Sequence, residues 1–556
     1  VIVLIDLSFS QILFKLFVME IIKVSQAYID GVLSEEGQLN ASAGFLQLRE
    51  GKRPTPRTPL YKDLSQQQIF EKWDQTLAQY AMNNLNIPLI KYDRSRMSKV
   101  GPQGGYPPLE DRMDKLEDYY SSPNNDIDPA IIDMDLILEL RKQLFGDIKN
   151  RRPLTPERVI TLDKYDDKLI TNSGCPDYGK RNDPAIIANA ISDSKSERWR
   201  DYPMILGSRA QRGSDRFIFM APFSLNIVEK QYLYVLMDLI RSKNLPFFSA
   251  WEGFTDVELG FSRIELFTKY EYLIQQDYKA MDKHINDISL MICNLICGPI
   301  FQMKYSKDFE DLLSHTQNVY VMIGLDKIIT GKHGMPSGSG MTNFVESIFS
   351  YYIMKLYNKT RTIGKVDGSG LGDDLTFGCL PSSNVKPDSI AEYMSQQCSA
   401  YGFVLEESKQ RIDTYTTVYL QRFFDKRLPN NGVVLGMYPS ILAINTAINP
   451  ERFHDPRKWN KEMEILRWIM ILENCINLPY YKDLIQFFIE GDKYKLGLII
   501  PGFFKTLPST FEDSKAIKGF VPSYNQEKAD KGINDFETVK YLKTLSHKYR
   551  DRKSVV

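Results

Sequence analysis

Cysteine and histidine are scarce in this 556-residue chain, at six and five residues, and neither type is arranged to hold a metal. There is no CxxC pair, no HExxH and no Cys/His cluster, which speaks against a structural zinc. Only Cys293 and Cys297 are close, at helical spacing in an apolar run, and they read as reduced core thiols of a cytosolic protein. Any metal should therefore be bound by oxygen. Net charge is also missing, since 70 Lys and Arg balance 70 Asp and Glu. That balance argues against a coat or tail gripping nucleic acid by bulk charge, and leaves room for a local basic channel inside a neutral shell. Clean apolar runs of membrane length are absent too. The opening "VIVLIDLSFSQILFKLFV" is interrupted by Asp6, Ser8, Ser10, Gln11 and Lys15, and lacks the charged start and cleavage site of a signal peptide. No membrane association is expected. The first methionine is Met19, and residues 1–18 are expected to be upstream reading frame carried into the translation.

What is present is an ordinary globular composition, 43% hydrophobic and 25% charged, in a chain too long for one core. Several subdomains are expected. Pro- and Gly-rich loops at 51–59, 101–108 and 121–129 separate helical stretches in the first third. Near Lys195 the texture changes: Arg198, Arg200, Arg209, Arg212 and Arg216 form a run that ends in an alternating strand, Phe217 to Met220. "YEYLIQQDYKAMDKHINDISLMICNLI" reads as a buried strand and then a helix, with Asp277 at the strand end and Asp282 just before the helix. "GMPSGSGMTNFVES" is a glycine-bearing loop that leads through Thr342 into an aromatic-rich helix. "DGSGLGDDLTFG" reads as a hairpin with Asp373 and Asp374 at its turn. Ile390 to Tyr401 is helical in pattern, "TVYLQRFF" (417–424) reads as one strand, and the chain after Gly432 is mostly helical.

Two adjacent carboxylates on a tight turn repel unless water or a cation receives them. With a third carboxylate at a neighbouring strand end they can hold two hard divalent cations for in-line phosphoryl displacement, and guanidinium groups upstream can neutralise a triphosphate. Each piece has a plain reading as well: Asp277 a turn residue, the arginines a solvated surface, "SGSG" a linker. A Gly-Asp-Asp tripeptide arises by chance in roughly one chain in ten of this length.

The order of the pieces is what discriminates. An arginine run, D-x4-D, SG-x3-T before a helix, and then GDD resembles motifs F, A, B and C of viral RNA-dependent RNA polymerases. "RAQRGSDRFIFMAPFSLNI" and "GMPSGSGMTNFVES" look most like picobirnaviruses, with partitiviruses next. The resemblance implies an α/β (α+β) right-handed polymerase with fingers, palm and thumb closed by fingertip contacts, the palm an antiparallel sheet backed by helices. Its expected divisions are an N-terminal bridging segment at 19–95, fingers at 96–264, palm at 265–290, a fingers insertion at 291–330, palm at 331–431, and thumb with tail at 432–556.

It also implies Asp277, Asp373 and Asp374 as ligands of two Mg2+ ions, with Mn2+ as a substitute, and Arg216, Arg209 and Arg212 around the incoming phosphates. Asp282, Ser337, Gly338 and Thr342 would surround ribose and template, with Asn343 or Glu346 near the sugar. Glu346 stands where many positive-strand viral polymerases carry Asn. Lys409 fits a proton donor to pyrophosphate or an exposed surface lysine, and Phe423 and Phe424 fit a primer-supporting strand or a core pair. The last segment, "SHKYRDRKSVV", reads as a mobile basic tail. The implied activity is replication and transcription of a double-stranded RNA genome, inside the virion in the host cytoplasm. Its partners would be RNA template and product, ribonucleoside triphosphates and capsid protein. The alternatives are a reverse transcriptase-like enzyme and a catalytically silent RNA-binding protein on the same fold. The first usually carries an aromatic residue near the position of Asp282.

Overall fold

The structure, a computed structural model, describes residues 19–165, 169–383, 385–406, 410–515 and 532–550. The expectations for residues 1–18 and for Lys409 fall outside these ranges. The chain forms two compact units, one of residues 1–52, 107–208 and 216–417, the other of 53–106, 209–215 and 418–556.

The first unit carries an antiparallel sheet ordered β7-β8-β4-β9, with β4 at Tyr272–Asp277, β7 at Gly364–Leu371, β8 at Asp374–Pro381 and β9 at Arg411–Asp413. Leu375 to Cys379 are buried at every position, so β8 is covered on both faces, with Thr376 satisfied by the Ile274 carbonyl and the Thr417 hydroxyl. The helix Thr342–Thr360 shares the hydrophobic core of this sheet through Val345, Ile348, Phe349 and Tyr352. The glycines of "DGSGLGDD" divide into two jobs. A Cβ on Gly370 would lie 2.5 Å from Phe247 Cζ, so that glycine permits close packing. Gly372 alone among these glycines has a positive φ, +62°, and makes the turn.

A second sheet is ordered β1-β6-β5-β2-β3, with β1 at Glu20–Lys23, β2 at Met204–Gln211, β3 at Ser214–Met220, β5 at Val321–Gly324 and β6 at Lys327–Thr330. Of the arginine run, Arg198 and Arg200 lie in a short 3-10 helix, Arg198–Arg200, and Arg209, Arg212 and Arg216 lie on the hairpin of β2 and β3. Arg212 and Gly213 both have positive φ, +56° and +78°, as a two-residue hairpin turn matched to strand twist requires. The expected strand 417–424 is likewise two strands, β10 (Thr416–Tyr419) and β11 (Arg422–Asp425). Leu420 and Gln421, at φ +48° and +63°, reverse the chain between them, a conformation that apolar patterning does not announce. Asp282 sits in a one-turn helix, Met281–His284, and the longer helix starts only at Asp287, capped by Asn286.

In the second unit the helices Ser440–Ile448, Lys461–Glu473, Tyr481–Gly491, Phe503–Lys515 and Glu537–Arg550 supply the core. Phe423 packs there, stacked on Tyr92 at 5.3 Å, which is the core reading of that pair. The helix Glu537–Arg550 takes in the first residues of the expected tail, from Ser546 to Arg550, and the rest of that segment lies outside the described residues. The Glu473 carboxylate caps this helix by accepting from the Glu537 and Thr538 amides, both at 3.0 Å.

All six cysteines are buried and free, and no described helix is long and apolar enough to cross a membrane. A Cβ on Gly378 in β8 would press into the Tyr270 ring. Gly378→Ala is expected to lower stability by about 1–3 kcal/mol through overpacking. A thermal unfolding midpoint equal to wild type would count against it.

Candidate active site

The sheet register brings the three acids of the sequence reading together. Asp277, the last residue of β4, lies opposite Asp374, the first of β8. Because Leu371 also pairs with Asp374, Gly372 and Asp373 form the two-residue loop between β7 and β8. Asp373 is exposed at its tip, and Asp277 and Asp374 are half-buried. Directly opposed like charges weaken a sheet, and a cation bound between them would relieve that cost.

The loop Gly334–Met341 runs past these strands into the helix Thr342–Thr360. Ser337 Oγ accepts from the Phe219 amide at 3.3 Å; β3 is an edge strand, so that amide needs a partner from outside the sheet. A Cβ on Gly338 would overlap the Phe219 carbonyl, so only glycine fits there. Thr342 donates its hydroxyl to the Pro336 carbonyl at 2.8 Å and closes the loop at the helix start. The Met335 amide donates to the Asp282 carbonyl at 2.8 Å, tying this loop to the turn that carries Asp282.

Charge is crowded here. Burial pushes the Asp282 carboxyl up from its ordinary value, opposed by the Lys283 amide and the charges of Lys283, Arg216 and His284. Burial pushes Glu346 up much further, and the negative charges of Asp373 and Asp282 add to it. A Cβ on Gly372 would lie 2.8 Å from Asn343 Nδ2 and 2.9 Å from Glu346 Oε2, which places both side chains beside the acidic turn. The structure thus gathers Asp277, Asp282, Arg216, Ser337, Gly338, Thr342, Asn343, Glu346, Asp373 and Asp374 within the first unit. Arg209 and Arg212 belong to the second. Arg209 makes a bidentate bond to Glu451, at 2.6 and 3.0 Å, and Arg212 bonds to Gln421 and to the Tyr438 hydroxyl.

Residues 208–437 match the sequence profile of the viral RNA-dependent RNA polymerase family. They are a viral RNA-dependent RNA polymerase domain. The chain is 26% identical over 498 residues to the potential RNA-dependent RNA polymerase of human picobirnavirus (strain Human/Thailand/Hy005102/-), covering 85% of this chain and 89% of that one. It is 28% identical over 191 residues to the RNA-directed RNA polymerase of Cryptosporidium parvum virus 1 (strain KSU-1), covering 32% and 36% of the two chains. Crystal structures of a human picobirnavirus RNA-dependent RNA polymerase and of its insertion-loop deletion mutant share the fold. Each gives a TM-score of 0.78 over 94% of this chain and 99% of theirs, at 21% and 23% identity respectively. The chain is thus similar to picobirnavirus polymerases along most of its length, and it has the right-hand fold of those crystal structures.

Two residues of the polymerase site escaped the sequence reading. The Ser347 hydroxyl accepts from the Gly372 amide at 2.9 Å, and the Ser350 hydroxyl donates to the Gly372 carbonyl at 3.1 Å. Both serines are fully buried in the apolar stretch "FVESIFSYY". A hydroxyl in such a stretch needs a partner, and that requirement is the signal that points to them. Ser347→Ala and Ser350→Ala each strand a buried backbone group of Gly372, at about 1–3 kcal/mol. The double variant should incorporate nucleotide more slowly than wild type at equal folded fraction. Wild-type incorporation would show that the turn holds its shape without them.

Proposed function

We propose that the chain is an RNA-directed RNA polymerase that replicates and transcribes a viral double-stranded RNA genome by two-metal nucleotidyl transfer. The observation that carries this reading is the register that sets Asp277 opposite Asp374, with Asp373 on the adjoining turn, inside a domain matched to the viral polymerase family. The donors are all carboxylate oxygens, the chemistry that magnesium prefers. Among the described residues no group of three or more His, Cys, Asp or Glu forms a ready-made cage. Magnesium commonly uses one or two carboxylates and completes its shell with substrate phosphates and water. Asp277 and Asp373 would hold the ions, with Asp374 assisting; Mn2+ is the expected substitute. Bound there, the ions would activate the attacking 3′-hydroxyl and stabilise the departing pyrophosphate oxygen.

The chain's own residues do the positioning. Arg216, exposed on β3, offers a planar fork to the triphosphate. Asp282 and its neighbours Asn343 and Glu346 present polar groups where a ribose hydroxyl can bond, and Ser337 and Gly338 bring backbone and hydroxyl to the template. The partners in this reading are RNA template and product, ribonucleoside triphosphates and a capsid protein. The setting is the virion in the host cytoplasm, and the likeness to picobirnavirus polymerases is what supports it.

Asp373→Ala and Asp277→Ala are expected to abolish primer extension in magnesium while template RNA binding persists, because binding rests on phosphate contacts. Near-normal extension by either purified variant would overturn the assignment. Arg216→Ala should raise the apparent KM for nucleotide and lower kcat. A nucleotide titration superimposable on wild type would return Arg216 to the solvated surface. Asp282→Ala should narrow the ratio of kcat/KM for a ribonucleotide over its deoxy counterpart, since an unpaired polar group costs on the order of 1–3 kcal/mol. An unchanged ratio would place sugar selection elsewhere.

A further inference from the structure

A carboxylate lies buried against the Ser337–Gly340 loop. Glu229, on the helix Phe223–Arg241, has no exposed surface. Such a group is costly to bury unless its oxygens are satisfied. Here every hydrogen bond it accepts comes from the loop or from what supports the loop. The Ser339 hydroxyl donates to one oxygen; the Gly340 amide and the Asn226 side-chain amide donate to the other, each at 2.8 Å. Asn226 Nδ2 also reaches the Gly338 carbonyl at 3.0 Å, so Gly338, Ser339 and Gly340 are each held in turn.

The support continues inward. Asn226 Oδ1 accepts from the Arg181 guanidinium at 2.6 Å, which orients the amide so that its NH2 faces the loop. Arg181 is itself fixed by the Asn172 carbonyl at 2.9 Å and by the Phe223 ring beneath it at 5.0 Å. The Ser339 oxygen then accepts from the Met341 amide at 3.1 Å, just ahead of the helix that begins at Thr342. The loop's two glycines remove side-chain contacts that would otherwise help fix its path, so its Gly338–Gly340 part is held by this network together with the Ser337 bond to Phe219 and the bonds to the Pro336 carbonyl.

We propose that Glu229 is a positioning residue for nucleotidyl transfer, fixing the Ser337–Gly340 loop so that Ser337 and Gly338 meet template and ribose in one conformation. The proposal rests on the polymerase reading above. Glu229 touches neither substrate nor ion; it acts through the loop. Gln is the conservative variant, because its carbonyl still accepts from Gly340 and Asn226 while its amide can donate to Ser339. Ala removes all three bonds.

The test joins two measurements on the full chain: steady-state incorporation on a primed RNA template, and hydrogen exchange of the peptide spanning residues 334–342. Glu229→Ala should lower kcat by about tenfold or more, as expected for losing charge-assisted bonds in a buried site. It should leave template affinity within about twofold, since phosphate contacts are untouched. Exchange in the loop should rise. Glu229→Gln should restore most of kcat and of the protection. Ser339→Ala should shift both readouts the same way by less, and adding it to Glu229→Ala should cost little more, because the two act as one unit. Where Glu229→Ala does not fold, Ser339→Ala and Glu229→Gln carry the comparison. Wild-type kcat in both Glu229→Ala and Ser339→Ala, or lost kcat with unchanged exchange, overturns the proposal. A wild-type chain that incorporates no nucleotide overturns the polymerase reading instead, and exchange in the loop still reports whether Glu229 fixes it.

Discussion

Everything at the site follows from the register between β4 and β8. The pairing sets Asp277 across from Asp374, and the same ladder continued through Leu371 leaves Gly372 and Asp373 as the connecting pair. A one-residue slip would turn Asp277 and Asp374 to the other face, because side chains alternate along a strand. The slip is resisted by burial, since Leu375 to Cys379 are covered on both faces and Ile274 is fully buried in the same core. Apolar packing in mid-sheet thus determines where charged groups stand at its end.

The sequence made the chemical residues legible and left their scaffolding obscure. Asp277, Thr342 and the Asp373 turn were readable because each sits where a periodic pattern stops, and a stop has local chemical marks such as Gly, Asp and Thr. The edge-strand role of β3 was not readable. Whether a strand is central or edge depends on pairing with β2 and on the absence of a neighbour beyond it, and that is decided by distant parts of the chain. The turns at Arg212–Gly213 and Leu420–Gln421 were missed for a related reason. Leu420 and Gln421 occupy the left-handed region without a glycine, against local preference, so only the surrounding fold can hold them there. Gly370 is a further case in which the role of a residue is set by a distant partner, since it permits the approach of Phe247.

The family match covers the site itself but not everything that holds the site in place. The family match begins at residue 208 and ends at 437. The N-terminal strand β1 lies outside it, yet pairs with β6 inside it, Ile22 against Ile328. The first unit is therefore assembled from segments on both sides of the match boundary, and its core is continuous across it: Ile29 and Leu48 share a cluster with Ile274 and Phe377. Residues outside the recognised domain are part of what holds the recognised motifs.

The forces that assemble the site are not the ones that perform its chemistry. Asp277, Asp282, Glu346, Asp373 and Asp374 are all acidic, and burial raises both Asp282 and Glu346, the charges of Asp373 and Asp282 adding to the rise at Glu346, so crowding these acids has an electrostatic cost. Neutral backbone bonds oppose that repulsion. The Asp282 carbonyl holds Met335, Ser347 and Ser350 hold Gly372, and Phe219 holds Ser337. Each bond contributes only about 1 kcal/mol net when made, but costs more when one partner is removed and the other stays buried. That asymmetry suits a site which must keep its acids together before any cation arrives. The bonds need not be strong; breaking any one of them without exposing the loop to water is what the fold makes expensive.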